Sequence, residues 1–321
     1  MYSLSKRRIF FATDIHGSDA CFRKFINAGR FYRADTLIFG GDLTGKTIIP
    51  VVEDPGGVYT CRFLGESVRV KGERARDELT RKIRSVGSYC QIMSRSESEE
   101  LSKNQDEVKE LFTSLIKESV REWVKLADER LKNTGIQCYI TPGNDDDACI
   151  DPILNESECV INPDGRVVEL FEDVEMISLG NSNMTPWKCP RDITEEELSR
   201  RIDRLATDAK NLERSIFNIH VPPYGTGIDS APELDESLRP RLEPGGELKM
   251  VPAGSTAVRE AILKYQPLLG VHGHIHESKG FFKLAQTLCV NPGSEYQEGI
   301  LKGFLAELSD GEIRDFIFTA G

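Results

Sequence analysis

The chain has 321 residues and carries 41 Lys+Arg against 52 Asp+Glu, a net charge of −11. That balance argues against a protein that grips bulk DNA or RNA by neutralising many phosphates, while leaving room for a small phosphorylated ligand. No apolar run is long enough to span a membrane, and Lys6-Arg7-Arg8 passes straight into an apolar strand with no room for a signal peptide, so a cytoplasmic protein away from membranes is expected.

Arg8-Ile9-Phe10-Phe11-Ala12 predicts a buried strand that ends at Thr13-Asp14. Ser18 or Asp19 then caps a helix through Phe22, Phe25, Ile26 and Phe31. Thr36-Leu37-Ile38-Phe39 is a second buried strand, ending at Gly40-Gly41-Asp42, and the three elements make a right-handed βαβ unit. The next strand of this character, 136–140, ends at Pro142-Gly143-Asn144-Asp145-Asp146-Asp147.

The chain between these strands exceeds what a crossover needs, so 45–135 is expected to be an insertion. It reads as a hairpin, 48–53 and 58–64 about Asp54-Pro55-Gly56-Gly57, followed by two helical patterns. The second recurs at Val108, Leu111, Phe112, Leu115, Ile116, Val120, Trp123, Val124, Ala127 and Leu131, an amphipathic helix of about seven turns. The cationic stretch Arg69 to Arg84 is interleaved with Glu73, Asp77 and Glu78 and reads as a solvated helix face.

Beyond Asn144 the pattern predicts a short helix at 151–154 and strands at 167–171 and 175–179. A loop, 180–191, carries Asn181, Asn183, Trp187, Lys188 and Arg191, and Asp192 or Thr194 opens a helix that is acidic in its first turn. A strand at 215–219 delivers His220, and the Gly/Pro-rich segment 222–254 reads as surface loop. After a helix at 255–265, a strand at 267–271 delivers His272-Gly273-His274-Ile275-His276. Strands at 280–284, 287–290, 302–308 and 312–318 close the chain, the last two alternating as an antiparallel pair with one wet face. The eight cysteines, without a Cys-x-x-Cys pair, read as reduced, buried thiols.

Five strand ends therefore present polar side chains: Asp14 and His16, Asp42, Asn144, His220, and His274 with His276. In open α/β sheets ligands bind beyond the carboxyl ends of the strands, so these residues should converge. Such a set is too large for one ion and suits two if a carboxylate bridges, the arrangement used for in-line displacement at phosphorus.

The ordered motifs Asp14-Ile15-His16, Gly41-Asp42, Gly143-Asn144-Asp145-Asp146, His220 and Gly273-His274-Ile275-His276 resemble those of the calcineurin-like metallophosphoesterases, in particular the branch of predicted phosphoesterases related to the Icc cyclic-nucleotide phosphodiesterase. The resemblance implies an α/β fold, an αββα sandwich of two mixed sheets with flanking helices, in a single domain that bears the 45–135 insertion. It implies one divalent ion on Asp14, His16, Asp42 and His276 and another on Asp42, Asn144, His220 and His274. An all N/O set suits Mn, Fe, Zn or Co. It further implies a phosphodiesterase or phosphatase for small or nucleotide-like substrates, in which a hydroxide bridging the ions attacks in line. Asp42, Asn144 and Asp145 form the expected catalytic set.

Asp145 stands where many relatives of this kind carry a histidine that protonates the leaving group, and would serve only with a raised pKa. His272 is expected to be a packed histidine or an outer support for the ligands rather than an acid, with His274 and His276 sharing one face of extended chain. Asp145 to Asp147 otherwise read as a solvated acidic turn. Asn183, Trp187 and Tyr224 are candidates for substrate contact, and Lys188 or Arg191 for a phosphate. Two other readings stay open, a non-catalytic scaffold on the same fold and a nuclease. The insertion would act as a lid or as a homo-oligomer interface.

Overall fold

The computed structural model describes residues 6–171 and 174–321; residues 1–5, on which the reading of the N-terminus bears, lie outside the described residues, as do 172 and 173. Strand β1 (Arg7–Ala12) is buried from Ile9 onward, because it runs between a parallel and an antiparallel neighbour. Helix α1 (Asp19–Phe31) starts at Ser18, whose Oγ accepts from the Cys21 amide at 3.2 Å, and buries Phe22, Phe25 and Ile26. Strand β2 (Thr36–Phe39) is wholly buried beside β1.

The segment between β2 and the next sandwich strand holds β3 (Thr47–Asp54), β4 (Val58–Phe63), β5 (Glu66–Lys71), α2 (Glu73–Ser85), β6 (Ser88–Ser94), α3 (Arg95–Leu101) and α4 (Gln105–Leu131). Its strands form a sheet in the order β5-β4-β3-β6, with β3 and β6 parallel. The expected hairpin is present, but two further strands extend it, and Arg69 and Lys71 lie on β5 rather than on a helix face. Alternation decides this: Val68 and Val70 face Val51, Tyr59, Leu79 and Ile83 in a small separate core, so the basic residues between them point away.

Next come β7 (Gln137–Ile140), α5 (Asp151–Leu154), β8 (Val160–Ile161), β9 (Arg166–Phe171), β10 (Val174–Leu179), β11 (Ser182–Asn183), β12 (Asp192–Ile193) and α6 (Glu195–Asp208). The remainder is β13 (Ile216–Ile219), β14 (Ser230–Pro232), β15 (Met250–Pro252), α7 (Thr256–Tyr265), β16 (Leu269–Val271), β17 (Gly280–Leu284), β18 (Thr287–Asn291), β19 (Lys302–Ser309) and β20 (Glu312–Ala320). Helix α6 is capped by Thr194, not Asp192, and the Gly/Pro-rich segment holds the short β14–β15 hairpin within its loop.

Two six-stranded mixed sheets, β20-β19-β1-β2-β7-β8 and β17-β18-β16-β13-β10-β9, stack into an α/β sandwich. Alternation along β1 divides the layers: Phe11 and Ile9 meet Met176, Ile216 and Val271 between the sheets, whereas Phe10 turns outward to the core beneath α1 and α4. Helices α6 and α7 cover the opposite face. Strands β1, β2 and β7 are mutually parallel, and so are β10, β13 and β16, so that their carboxyl ends can supply one site.

Candidate metal centre

The seven ligand-type residues come together. One group consists of Asp14, His16 and His276 and another of Asp42, His220 and His274, each residue offering one ligand atom within 4.8 Å of those of its group. Asp42 joins the two groups, its Oδ2 lying 3.6 Å from His16 Nε2 and its Oδ1 3.4 Å from His220 Nε2. Asn144 Oδ1 lies 2.9 Å from His274 Nδ1.

The loops that carry these residues are strained. Asp14, His16, Asp42 and His274 all have positive φ, at 53°, 39°, 55° and 67°, a conformation that costs about 1–3 kcal/mol per non-glycine residue and gathers at functional sites. Backbone bonds hold it: Asp14 N donates to Gly41 O at 2.9 Å, and His16 N donates to Asp42 O at 3.0 Å. His274 N donates to Asp14 Oδ2 at 3.0 Å. Here the extended-chain expectation is corrected: β16 stops at Val271, and a left-handed turn at His274 brings His274 and His276 to the same centre. A Cβ on Gly273 would overlap Asp14 Oδ2 and Thr13 Oγ1, so the close approach of this turn requires glycine.

Hydrogen bonds fix which atoms face inward. His220 Nδ1 donates to Gly40 O at 2.8 Å, leaving Nε2 turned to Asp42. Asn144 Nδ2 donates to Asp192 Oδ1 at 2.9 Å; a carboxylate only accepts, so Asn144 Oδ1 faces the centre. Asp192, set aside by sequence as a helix cap, is thus a positioning residue, freed for it because Thr194 takes the cap. Ser182 Oγ lies 3.3 Å from His274 Nε2, the nitrogen away from Asn144.

This set fits divalent ions on its own geometry. His16 Nε2 and His276 Nε2 are 2.9 Å apart, the spacing of two ligands at right angles on an ion with bonds of about 2.0–2.1 Å. The buried His220 Nε2 lies 3.4 Å from Asp42 Oδ1 and has no closer hydrogen-bond partner among the described residues, so once deprotonated it is open to an ion.

Electrostatics agree. Burial opposes charge on Asp14, but His276, His220 and His16 hold its carboxyl well below the usual range. Burial likewise opposes a charged His220, yet the Asp42 and Asp14 carboxylates and the Gly40 carbonyl lift it to about 10. Without metal, an imidazolium supplies the positive charge that these carboxylates require. Burial, with His220 beside it, pushes His274 down to about 3.

Several expectations are corrected. Burial would raise Asp145, but Lys46, the Cys189 thiol and His16 bring it down to about 2, so it stands as a carboxylate and not as an acid. Lys46 Nζ pairs with Asp145 Oδ2, and Cys189 Sγ donates to Oδ1 at 2.7 Å. Asp146 is no solvated turn residue: fully buried, it accepts from Leu43 N, Thr44 N, Thr44 Oγ1 and Gly143 N, clamping the Asp42 and Asn144 loops together. His272 is buried between strands, its Nδ1 donating to Ile219 O at 2.7 Å, and burial pushes it down to about 4. Of its two expected roles, packing or support of the ligands, the packed one is what these contacts show.

Arg191 is consumed by Asp151 at 2.9 Å and Asp164 at 3.2 Å and is not free for a phosphate. Trp187 and Tyr224 stand exposed, as does Lys188, while Asn183 Nδ2 donates to Gly254 O at 3.4 Å. All eight cysteines are free thiols, but only Cys21, Cys138 and Cys289 are buried. Sequence reasoning passed over Lys46, and also Tyr296, whose ring packs 4.9 Å from that of His16. Both lie on loops that follow buried strands, Lys46 after β2 and Tyr296 after β18, but neither is a ligand type of the kind the other strand ends carry.

No family model matches the chain. The uncharacterized protein MJ1162 of Methanocaldococcus jannaschii is 31% identical over 159 residues, which is 49% of this chain and 64% of that protein. The match thus spans less than two thirds of that relative. A crystal structure aligns over 98% of this chain and 99% of its own with TM-score 0.57 and 14% identity. TT1561 of Thermus thermophilus aligns over the same shares with TM-score 0.53 and 13% identity. At such identities these neighbours show a shared fold alone.

Proposed function

We propose that this chain is a phosphoester hydrolase of the metallophosphoesterase kind, dependent on two divalent ions and acting on small or nucleotide-like phosphoesters. The observation that carries the reading is Asp42, whose two oxygens face different groups of imidazoles and would serve both ions at once. Asp14, His16, Asp42 and His276 would hold one ion, and Asp42, Asn144, His220 and His274 the other. When bound, such a pair lowers the pKa of a shared water and neutralises charge that develops on a phosphoryl group.

The chain's own residues set the stage for that chemistry. Gly40 O fixes the His220 tautomer, Asp192 turns the Asn144 carbonyl inward, and the His274 amide holds the Asp14 carboxylate. Such outer contacts sustain ligand orientation, and losing one commonly weakens metal affinity by about 10–100-fold. Of the five histidines, four belong to the ligand set and His272 is buried, so no imidazole is left to protonate a leaving group. Activated aryl esters are therefore the substrates to try first.

The test is hydrolysis of bis(p-nitrophenyl) phosphate by the Mn²⁺-supplied chain and by its Asp42→Ala variant. The variant should be slower by about a hundredfold or more, since both ions lose a ligand. Equal rates would remove the basis of the reading.

A further inference from the structure

Lys46 opens the insertion and is held at the centre far more firmly than an ordinary surface lysine. The segment before it is clamped: Leu43 N and Thr44 N donate to Asp146 at 2.9 and 2.8 Å, and Gly45 N donates to Tyr89 Oη at 2.9 Å. A Cβ on Gly45 would meet Gly87 O at 2.5 Å, so the chain before Lys46 packs directly on the turn between α2 and β6. From this fixed base the Lys46 ammonium reaches Asp145 Oδ2.

Asp145 is itself tied into the ligand set. Its amide donates to Asp42 Oδ1 at 3.0 Å, and its Oδ2 lies 4.0 Å from His16 Nδ1. Its other oxygen accepts from Cys189, so the carboxylate is fixed at both ends. Among the described residues Lys46 is the one Lys or Arg that ion-pairs with Asp14, Asp42 or Asp145. Its side chain is 50% exposed. An ammonium carries three donors, and Asp145 engages one, so two remain for an incoming oxygen.

Resting on the reading of a two-ion phosphoester site, we propose that Lys46 is a substrate-binding residue whose ammonium grips a non-bridging phosphoryl oxygen, with Asp145 holding the ammonium over the centre. A charge-assisted bond of this type is about twice as strong as a neutral one. The insertion would thereby contribute directly to substrate capture, and Asp145 would act as a positioning residue for Lys46.

The test uses the full chain, its Lys46→Met and its Lys46→Arg variants, each loaded with Mn²⁺. Metal content is read by mass spectrometry, and binding of inorganic phosphate by calorimetry. All three should hold equal metal; Lys46→Met should bind phosphate at least about tenfold more weakly, and Lys46→Arg, which keeps the charge, within about threefold of the parent. In hydrolysis of the aryl diester, Lys46→Met should raise KM more than it lowers kcat. A Lys46→Met variant with full metal and unchanged phosphate affinity overturns the assignment, as does one that loses its metal, since Lys46 would then be structural. If the parent chain still cleaves the diester, the hydrolase reading survives either result. A parent chain that takes up no Mn²⁺ overturns both.

Discussion

On the proposed two-ion reading, His220 is the residue at which protonation and metal binding meet. Burial disfavours its charged form, but the neighbouring carboxylates outweigh burial and hold its pKa at about 10. A histidine raised in the folded state stabilises fully below its ordinary pKa near 6.5 and loses that contribution as pH climbs through about 10. A metal ligand must be neutral, so uptake has to displace this proton. Mn²⁺ binding at pH 7.5 should therefore release protons, and its apparent affinity should rise with pH across that window. Calorimetry in buffers of different ionisation enthalpy reads the release, and a buffer-independent heat would contradict the protonation scheme. At this scale the ligand types were legible because each follows a buried apolar strand, as Asp42 follows Thr36–Phe39. Lys46, Ser182 and Asp192 were not, because their roles depend on partners distant in sequence: Asp145 for Lys46, His274 for Ser182 and Asn144 for Asp192.

At the scale of elements, Ser18 shows how the insertion and the sandwich are joined. Its Oγ accepts from the Cys21 amide at the start of α1 and donates to Ser85 O at the end of α2. Nearby, Asp19 receives Arg84 Nε at 2.8 Å and Trp123 Nε1 at 2.6 Å, so that α1, α2 and α4 share one polar seam. Ser18→Ala should lower stability by about 1–2 kcal/mol through the lost cap and leave the Ser85 carbonyl without this donor. A urea midpoint that falls with unchanged slope would show it, and an unchanged midpoint would mean that the seam does not depend on Ser18. The helices and central strands could be read in advance because their apolar spacing is strong, as in α4 from Ile116 to Leu131. Strand β5 could not, since Arg69 and Lys71 alternate with valine in a basic stretch that also contains a helix.

For the molecule as a whole, two mixed sheets bring distant parts of the chain to one point: His16 and His276 are 260 positions apart yet their Nε2 atoms lie 2.9 Å from each other. The two-sheet layering was implied by the resemblance of the ordered motifs, whereas the turns that aim His274 and His276 depend on left-handed backbone that an alternation pattern does not reveal. Net charge bears on this scale too. At −11 the chain repels polyanions overall, while the centre gathers imidazoles, an ammonium and carboxylates in a small volume. No helix among the described residues is long and apolar enough to cross a membrane.

The most direct measurement is the metal stoichiometry of the Mn²⁺-loaded chain together with its low-temperature electron paramagnetic resonance. Ions about 3.5–4 Å apart, joined by Asp42, should number two per chain and give a spin-coupled signal that Asp42→Ala abolishes. One ion per chain, or two with an uncoupled six-line spectrum, would contradict a dinuclear centre bridged by Asp42.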